Sequence, residues 1–189
     1  METAGQERTF KVSFVAIVVG HGPVRDRGAL SADKKVSELE WNRDLARRIY
    51  QAVNNRCRVG VVHRTVESDP PVHAVNLLKA TCAIELHLNA YNGQASGTEM
   101  IYWLSSSKGQ ILAQTLQEAA TTMLHLPNRG IKGPQAGGRG SKFLSKTNCP
   151  AVIVESFFID NPEDLRRGEL VKEALAIAYA DALVKFATQ

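Results

Sequence analysis

The sequence predicts an α/β domain built on a mainly parallel, twisted sheet of five or six strands with helices on both faces. Three observations predict it. Apolar, β-branched runs recur at residues 10–19, 59–63, 82–88, 99–104 and 151–155. Segments of helical periodicity separate several of these runs, and such alternation builds parallel βαβ units. Three runs also end at a polar residue suited to metal binding or proton transfer: His21, His87 and Glu155. Ligand crevices of open α/β sheets lie outside the carboxyl ends of the strands, so these endings point to one site.

The elements follow in chain order. After the first strand, Trp41, Leu45, Ile49 and Ala52/Val53 recur at three- and four-residue spacing and make one apolar stripe. Ser37 is the expected N-cap of that helix, and Glu40 three residues on completes a capping box. A second helix is expected over 71–80. A third is expected over 108–124, with Ile111, Leu112, Leu116, Ala119/Ala120 and Met123 inward. The last is expected over 163–186, with Val171, Ala174/Leu175, Ala178, Ala182 and Phe186 on its buried face. Residues 129–142 are rich in glycine, carry the cations Arg129, Lys132, Arg139 and Lys142, and read as an exposed loop that could wall a groove.

Composition narrows the function classes. A length of 189 residues suits a single core, so 1–189 is read as one domain. The formal net charge of +4 is a mild cationic bias, useful toward an anionic polymer but not a nucleic-acid signature. No run approaches the roughly 20 apolar residues of a membrane helix. Residues 1–11 are polar and of mixed charge, and the run at 14–19 is too short for a signal-peptide core. The expectation is synthesis in the cytoplasm. The odd cysteines Cys57, Cys82 and Cys149 show no CxxC spacing and read as buried free thiols, with Cys149 a neighbour of the site.

A catalytic zinc takes three protein ligands and leaves one position open. His21 and His87 are the first two candidates, each followed by Gly or a Leu-Asn pair at a strand end. Helical geometry selects the third. Glu38 lies three and seven residues before Trp41 and Leu45, on the buried stripe. Glu40 shares the opposite, solvated face with Asp44, Arg47 and Gln51. Glu155 is the candidate general base, because a carboxylate after Ala-Val-Ile-Val is costly to bury unless used; a fourth ligand or a structural ion pair are its other readings. Glu85 shares a strand face with His87 and would orient it from behind, or compete with it as a ligand. His63, His73 and His125 are read as non-ligands.

These residues, in this order, resemble the zinc-dependent N-acetylmuramoyl-L-alanine amidases of the type-3 family, which includes bacterial autolysins and phage endolysins. Gly20-His21-Gly22 with Asp26 and Gly28-Ala29 is similar to the family's opening zinc-histidine motif. The segment from Ser37 to Asn42 is similar to its glutamate-ligand motif, in a register that again selects Glu38. Val62-His63-Arg64-Thr65, Leu86-His87-Leu88-Asn89-Ala90, Gly97-Thr98-Glu99, the groove-lining Arg129-Gly130-Ile131-Lys132 and the segment from Pro150 to Asn161 complete the resemblance. The family commonly has Ser where Glu85 stands, one extra residue separates His21 from Asp26, and His63 replaces a Thr.

The resemblance implies one Zn²⁺ held by His21, Glu38 and His87, with Glu155 moving protons. It implies hydrolysis of the amide joining N-acetylmuramic acid to L-alanine of the stem peptide. Asn89, Arg129 and Lys132 are the implied substrate contacts; Glu85, where the family commonly has Ser, is placed behind His87 by its strand face and not by the resemblance. The expected partner is peptidoglycan, both stem peptide and glycan strand, with no nucleic acid, no membrane segment, a monomeric state and no separate wall-binding domain. A phage lysin, or the mature form of an exported enzyme, would act on the wall in this way. A zinc stem-peptide peptidase and a non-catalytic wall-binding module are the alternatives.

Overall fold

Six strands lie in one sheet in the order β2-β1-β3-β6-β4-β5 among the described residues. The protein is seen here as a computed structural model, which describes residues 13–24, 26–64, 71–134 and 140–189. The strands are β1 (Phe14–Val19), β2 (Arg58–His63), β3 (Cys82–Asn89), β4 (Thr98–Tyr102), β5 (Asn128–Lys132) and β6 (Ala151–Phe158). The helices are α1 (Glu38–Val53), α2 (Val72–Leu77), α3 (Ser107–Leu124), α4 (Ser141–Lys146) and α5 (Pro162–Ala187). β1, β2, β3 and β6 run parallel; β4 pairs antiparallel with β6 and parallel with β5. The mainly parallel α/β sheet expected from the sequence is therefore the fold.

Side-chain alternation sorts the two faces. Val15, Ile17, Val19, Ile84, Leu86, Met100, Val152 and Val154 pack with α1, α3 and α5 in the larger core. Ala16, Val18, Ala83, Ala151 and Ile153 face the other way, against Val75 of α2 and Phe143 and Leu144 of α4. Helices thus cover both faces, but α2 and α4 have only six residues each. By the same alternation Glu85, His87, Glu99 and Glu155 belong to this thinly covered face.

Several elements differ from expectation. β5 reads as loop in the sequence because Asn-Arg-Gly-Ile-Lys is polar and interrupted by Gly130, whose φ is +83°. It survives as an edge strand, where one row of backbone groups needs no partner, with a register shift opposite β4. Ile111 is 56% exposed, and α3 buries Leu112, Ala113, Leu116, Gln117, Ala120 and Leu124 instead. The buried face of α5 runs through Leu175, Tyr179 and Leu183, and Ala174 is exposed. The second helix spans only Val72–Leu77. All three cysteines are free thiols, but only Cys82 is buried, and Cys149 stands before the amino end of β6, the end opposite Glu155. Thr65, Arg139 and residues 1–11, which carry sequence expectations, lie outside the described residues. Among the described residues no helix is long and apolar enough to cross a membrane.

Candidate metal centre and active site

The start of α1 is fixed by its cap. The Ser37 hydroxyl oxygen accepts the Glu40 N–H at 3.3 Å and donates to the Glu40 carboxylate at 3.0 Å. That geometry sets the helical phase that turns Glu38 inward at 3% exposure. Glu40 stays outside and pairs with Arg27, not with a neighbour on its own helix. The Glu38 carboxylate is then held by two backbone donors from different segments. Ala29 N–H donates to Oε2 and Leu88 N–H to Oε1, both at 2.9 Å.

His21 follows β1 with φ +66°, a left-handed conformation that costs a non-glycine residue energy and marks over-determined sites. Its Nε2 lies 3.1 Å from Glu38 Oε1, and its Nδ1 lies 2.9 Å from Asp26 Oδ1. His87 arrives from β3 with Nδ1 at 3.0 Å from the same Glu38 oxygen. The two imidazoles meet edge to face, with centroids 4.9 Å apart. His21, Glu38 and His87 thus each place a ligand-type atom within 4.8 Å of the others.

The charges follow from this packing. Burial acts to raise the Glu38 carboxyl, but hydrogen bonds to His21 and His87 outweigh it and hold the group well below its usual range. Burial acts to lower both histidines; Glu38 reverses that and raises each. The Glu38 charge and the two imidazoles around it thus stabilise one another.

This donor set fits a zinc ion. Two imidazole nitrogens and one carboxylate oxygen are the three-ligand complement of an open catalytic site. The ring nitrogens that face the cluster are Nε2 of His21 and Nδ1 of His87, and Asp26 backs the far nitrogen of His21, as ligating histidines require. The cradle is also shaped around these side chains. A Cβ at Gly28 would lie 2.4 Å from Glu38 Oε2, and one at Gly20 would lie 2.4 Å from His87 Cε1.

Glu155 is the register partner of His87 across β3 and β6, and of Glu99 across β6 and β4. One row of the sheet thus carries His87, Glu155 and Glu99 side by side. Burial pushes the Glu155 carboxyl up to about 8, and its Oε2 closes no hydrogen bond. Glu99 accepts Arg129 Nε at 2.8 Å and Lys132 Nζ at 2.6 Å, both on Oε2. Arg129 also stacks over Phe158, its guanidinium carbon 4.9 Å from the ring centroid. The two cations expected as substrate contacts therefore stand beside this row on β5, and already share its carboxylate Glu99. Asn89 Nδ2 is buried, lies toward Glu99 and closes no hydrogen bond of normal geometry.

Three residues have partners that the sequence did not show. Asp26 backs His21. Glu99 gathers Arg129 and Lys132. Arg64 donates to Glu85 at 2.6 Å. His63 ends β2 beside Arg43 of α1, away from the cluster; burial and that charge lower it. Among the described residues, the histidines that join a metal-type cluster are His21 and His87.

Comparison with known proteins identifies the family. Residues 15–185 match the model of the family described as N-acetylmuramoyl-L-alanine amidase. The chain belongs to this family. Within the amidase family it is 24% identical over 169 residues to the protein described as "Probable cell wall amidase LytH" of Staphylococcus epidermidis. That match covers 88% of this chain and 56% of the relative, so the chain spans about half of the relative's length. The catalytic domain of the CD27L endolysin targeting Clostridia difficile superposes with a TM-score of 0.78 at 27% identity, covering 92% of this chain and 97% of that one. An N-acetylmuramoyl-L-alanine amidase from Clostridium difficile 630 shares the fold, with a TM-score of 0.78 at 22% identity over 93% of this chain and 97% of its own.

Proposed function

We propose that this chain is the catalytic unit of a zinc-dependent peptidoglycan amidase, acting on the bond between N-acetylmuramic acid and L-alanine of the stem peptide. Family membership supports the reaction class. The observation that carries the assignment to residues is the row that sets Glu155 in register with His87, beside the His21, Glu38 and His87 cluster.

The residues divide the work. His21, Glu38 and His87 would hold the ion, whose Lewis acidity, once bound, would polarise the amide carbonyl and acidify water. Glu155 takes the proton from the attacking water; burial has raised its basicity toward the working pH, as general bases need. The same carboxyl then delivers that proton to the departing L-alanine amine. Asn89, whose side chain lies toward Glu99 beside the row, is the amide offered to the substrate. Arg129 and Lys132, fixed by Glu99, present cationic edges to the acidic stem peptide.

Digestion of purified sacculi tests the assignment. The wild type should release intact stem peptides with a free L-alanine amine and leave peptide-free glycan, both seen by mass analysis. Glu155→Gln should reduce the rate about 10²–10⁴-fold while zinc binding persists. Cleavage inside the stem peptide would indicate a peptidase. Binding of sacculi with no cleavage by the zinc-loaded protein would indicate a non-catalytic module. Undiminished cleavage by Glu155→Gln would remove that residue from the mechanism.

A further inference from the structure

Glu85 is a carboxylate in the interior of the sheet, fully buried on β3 between β1 and β6. Its register partners are Val18 and Ile153, both apolar and buried. A charge in such a place needs a partner, and Arg64 supplies one: Nη2 donates to Glu85 Oε1 at 2.6 Å. The pair spans an intervening strand. Arg64 leaves the end of β2, Glu85 lies on β3, and β1 runs between them. Val19 pairs with both His63 and Leu86, so Gly20, the residue that follows β1, falls between Arg64 and His87 and offers no side chain in the way.

The same Glu85 oxygen lies 3.7 Å from His87 Nε2. The other nitrogen of that ring, Nδ1, faces the Glu38 oxygen at 3.0 Å. The ring is pinned between the two carboxylates. Gly20 closes the remaining side, since even a methyl group there would lie 2.6 Å from Nε2. The contact of 3.7 Å is longer than a hydrogen bond, so Glu85 acts on the ring through its charge. Arg64 pairs with the same oxygen, but the carboxylate end of the pair is the one that meets Nε2, and its field in a buried site is little screened by salt. It favours the tautomer with the proton on Nε2, which leaves the Nδ1 lone pair aimed into the metal cluster.

We propose that Arg64 and Glu85 form a positioning pair for His87, with Arg64 anchoring the carboxylate and Glu85 fixing which ring nitrogen is offered to the metal. The proposal rests on the zinc assignment above. It gives the buried ion pair a function that packing alone does not supply, because an apolar residue would fill this strand position at lower cost. It also pairs the two ligand histidines in design: Asp26 backs the far nitrogen of His21, and Glu85 backs that of His87.

The test measures metal binding and ring state rather than turnover. Zinc dissociation constants are taken by chelator competition for the wild type, Glu85→Gln and Glu85→Asp. Melting of each protein in its metal-free form is followed in parallel. Loss of the charge in Glu85→Gln should weaken zinc binding about 10–100-fold, and Glu85→Asp should recover part of the loss. In the zinc-loaded wild type, imidazole ¹⁵N shifts should place the His87 proton on Nε2, a reading that needs no variant to fold. A zinc constant for Glu85→Gln within twofold of wild type, with only the metal-free melting lowered, overturns the proposal. So does zinc carried on His87 Nε2. A wild type that takes up no zinc overturns the metal assignment itself, and the pair's role with it.

Discussion

Glu99 and Glu155 stand directly opposite one another on antiparallel β4 and β6, yet their surroundings shift the two carboxyls in opposite directions. Like charges across an antiparallel pair destabilise each other. Here the conflict is resolved by unequal surroundings. Arg129 and Lys132 both donate to Glu99 and overcome its burial, so its carboxyl is held below the ordinary range. Glu155 has no cation of its own at hydrogen-bond distance among the contacts of the described residues, and burial takes it to about 8. Two carboxyls pushed apart in this way are the usual mark of separate jobs in one site.

The first prediction concerns the pH dependence of Glu99. Its folded value lies below its unfolded one, so its stabilising contribution is present above the unfolded value, about 4.3, and is lost as pH falls through the folded value. Glu99→Gln leaves two partly solvated cations without their shared partner and should cost up to about 1 kcal/mol at pH 7. The cost should shrink as the wild type is acidified below that unfolded value. Denaturant midpoints at pH 7 and pH 3.5 measure this, and an equal loss at both would contradict the ion-triad account.

A second prediction separates the structural from the substrate role of Arg129. If its Nε bond to Glu99 is energetically significant, Glu99→Gln and Arg129→Gln should be non-additive in stability, with a coupling of about 0.5–3 kcal/mol. If the outer edge of Arg129 also binds the stem peptide, Arg129→Gln should raise KM in sacculus digestion, and Arg129→Lys should not restore it, since a point charge lacks the planar fork. Additive stabilities together with an unchanged KM would assign Arg129 neither role.

The third prediction concerns metal removal. Zinc that binds the folded chain and not the unfolded one stabilises by mass action, about 2.7 kcal/mol at a free concentration 100 times the dissociation constant. Thermal melts with zinc and with chelator should differ accordingly, and His21→Ala, which removes one of the three donors, should abolish the difference. A chelator-insensitive melting temperature in the wild type would argue against the His21, Glu38 and His87 assignment.

Much of the candidate site is legible in the sequence because each proposed donor is announced by its own element. β1, β3 and β6 are buried, β-branched runs, and a polar residue at the end of such a run stands out. Glu38 could be separated from Glu40 because helical phase is a local property, fixed by the Ser37 cap. What stayed hidden was pairing across strands. Arg129 and Lys132 read as free groove cations because their partner, Glu99, lies about 30 residues away on another strand. Arg64 and Glu85 meet only because the sheet order sets β2 and β3 on either side of β1. β5 was missed because an edge strand can be polar, and hydrophobic patterning then carries no signal.

The last prediction tests whether the backbone that leaves β1 shapes the candidate metal site. Gly20 donates its N–H to Leu86 O at 3.0 Å, so its position is fixed by the strand ladder. A Cβ there would lie 2.4 Å from His87 Cε1 and 2.6 Å from Leu86 O, so both the ring and the local strand backbone must shift. Gly20→Ala should therefore strain this end of the β1–β3 ladder and displace the His87 ring from the Glu38 oxygen it now approaches at 3.0 Å. The stability cost should fall in the 1–3 kcal/mol range typical of overpacking. Zinc binding should weaken by at least tenfold, because a ligand nitrogen forced out of place by a few tenths of an ångström cannot keep tetrahedral geometry. Far-UV circular dichroism checks the fold and chelator competition the affinity. If Gly20→Ala binds zinc as tightly as the wild type, the His87 ring does not sit against this glycine in the metal-bound protein.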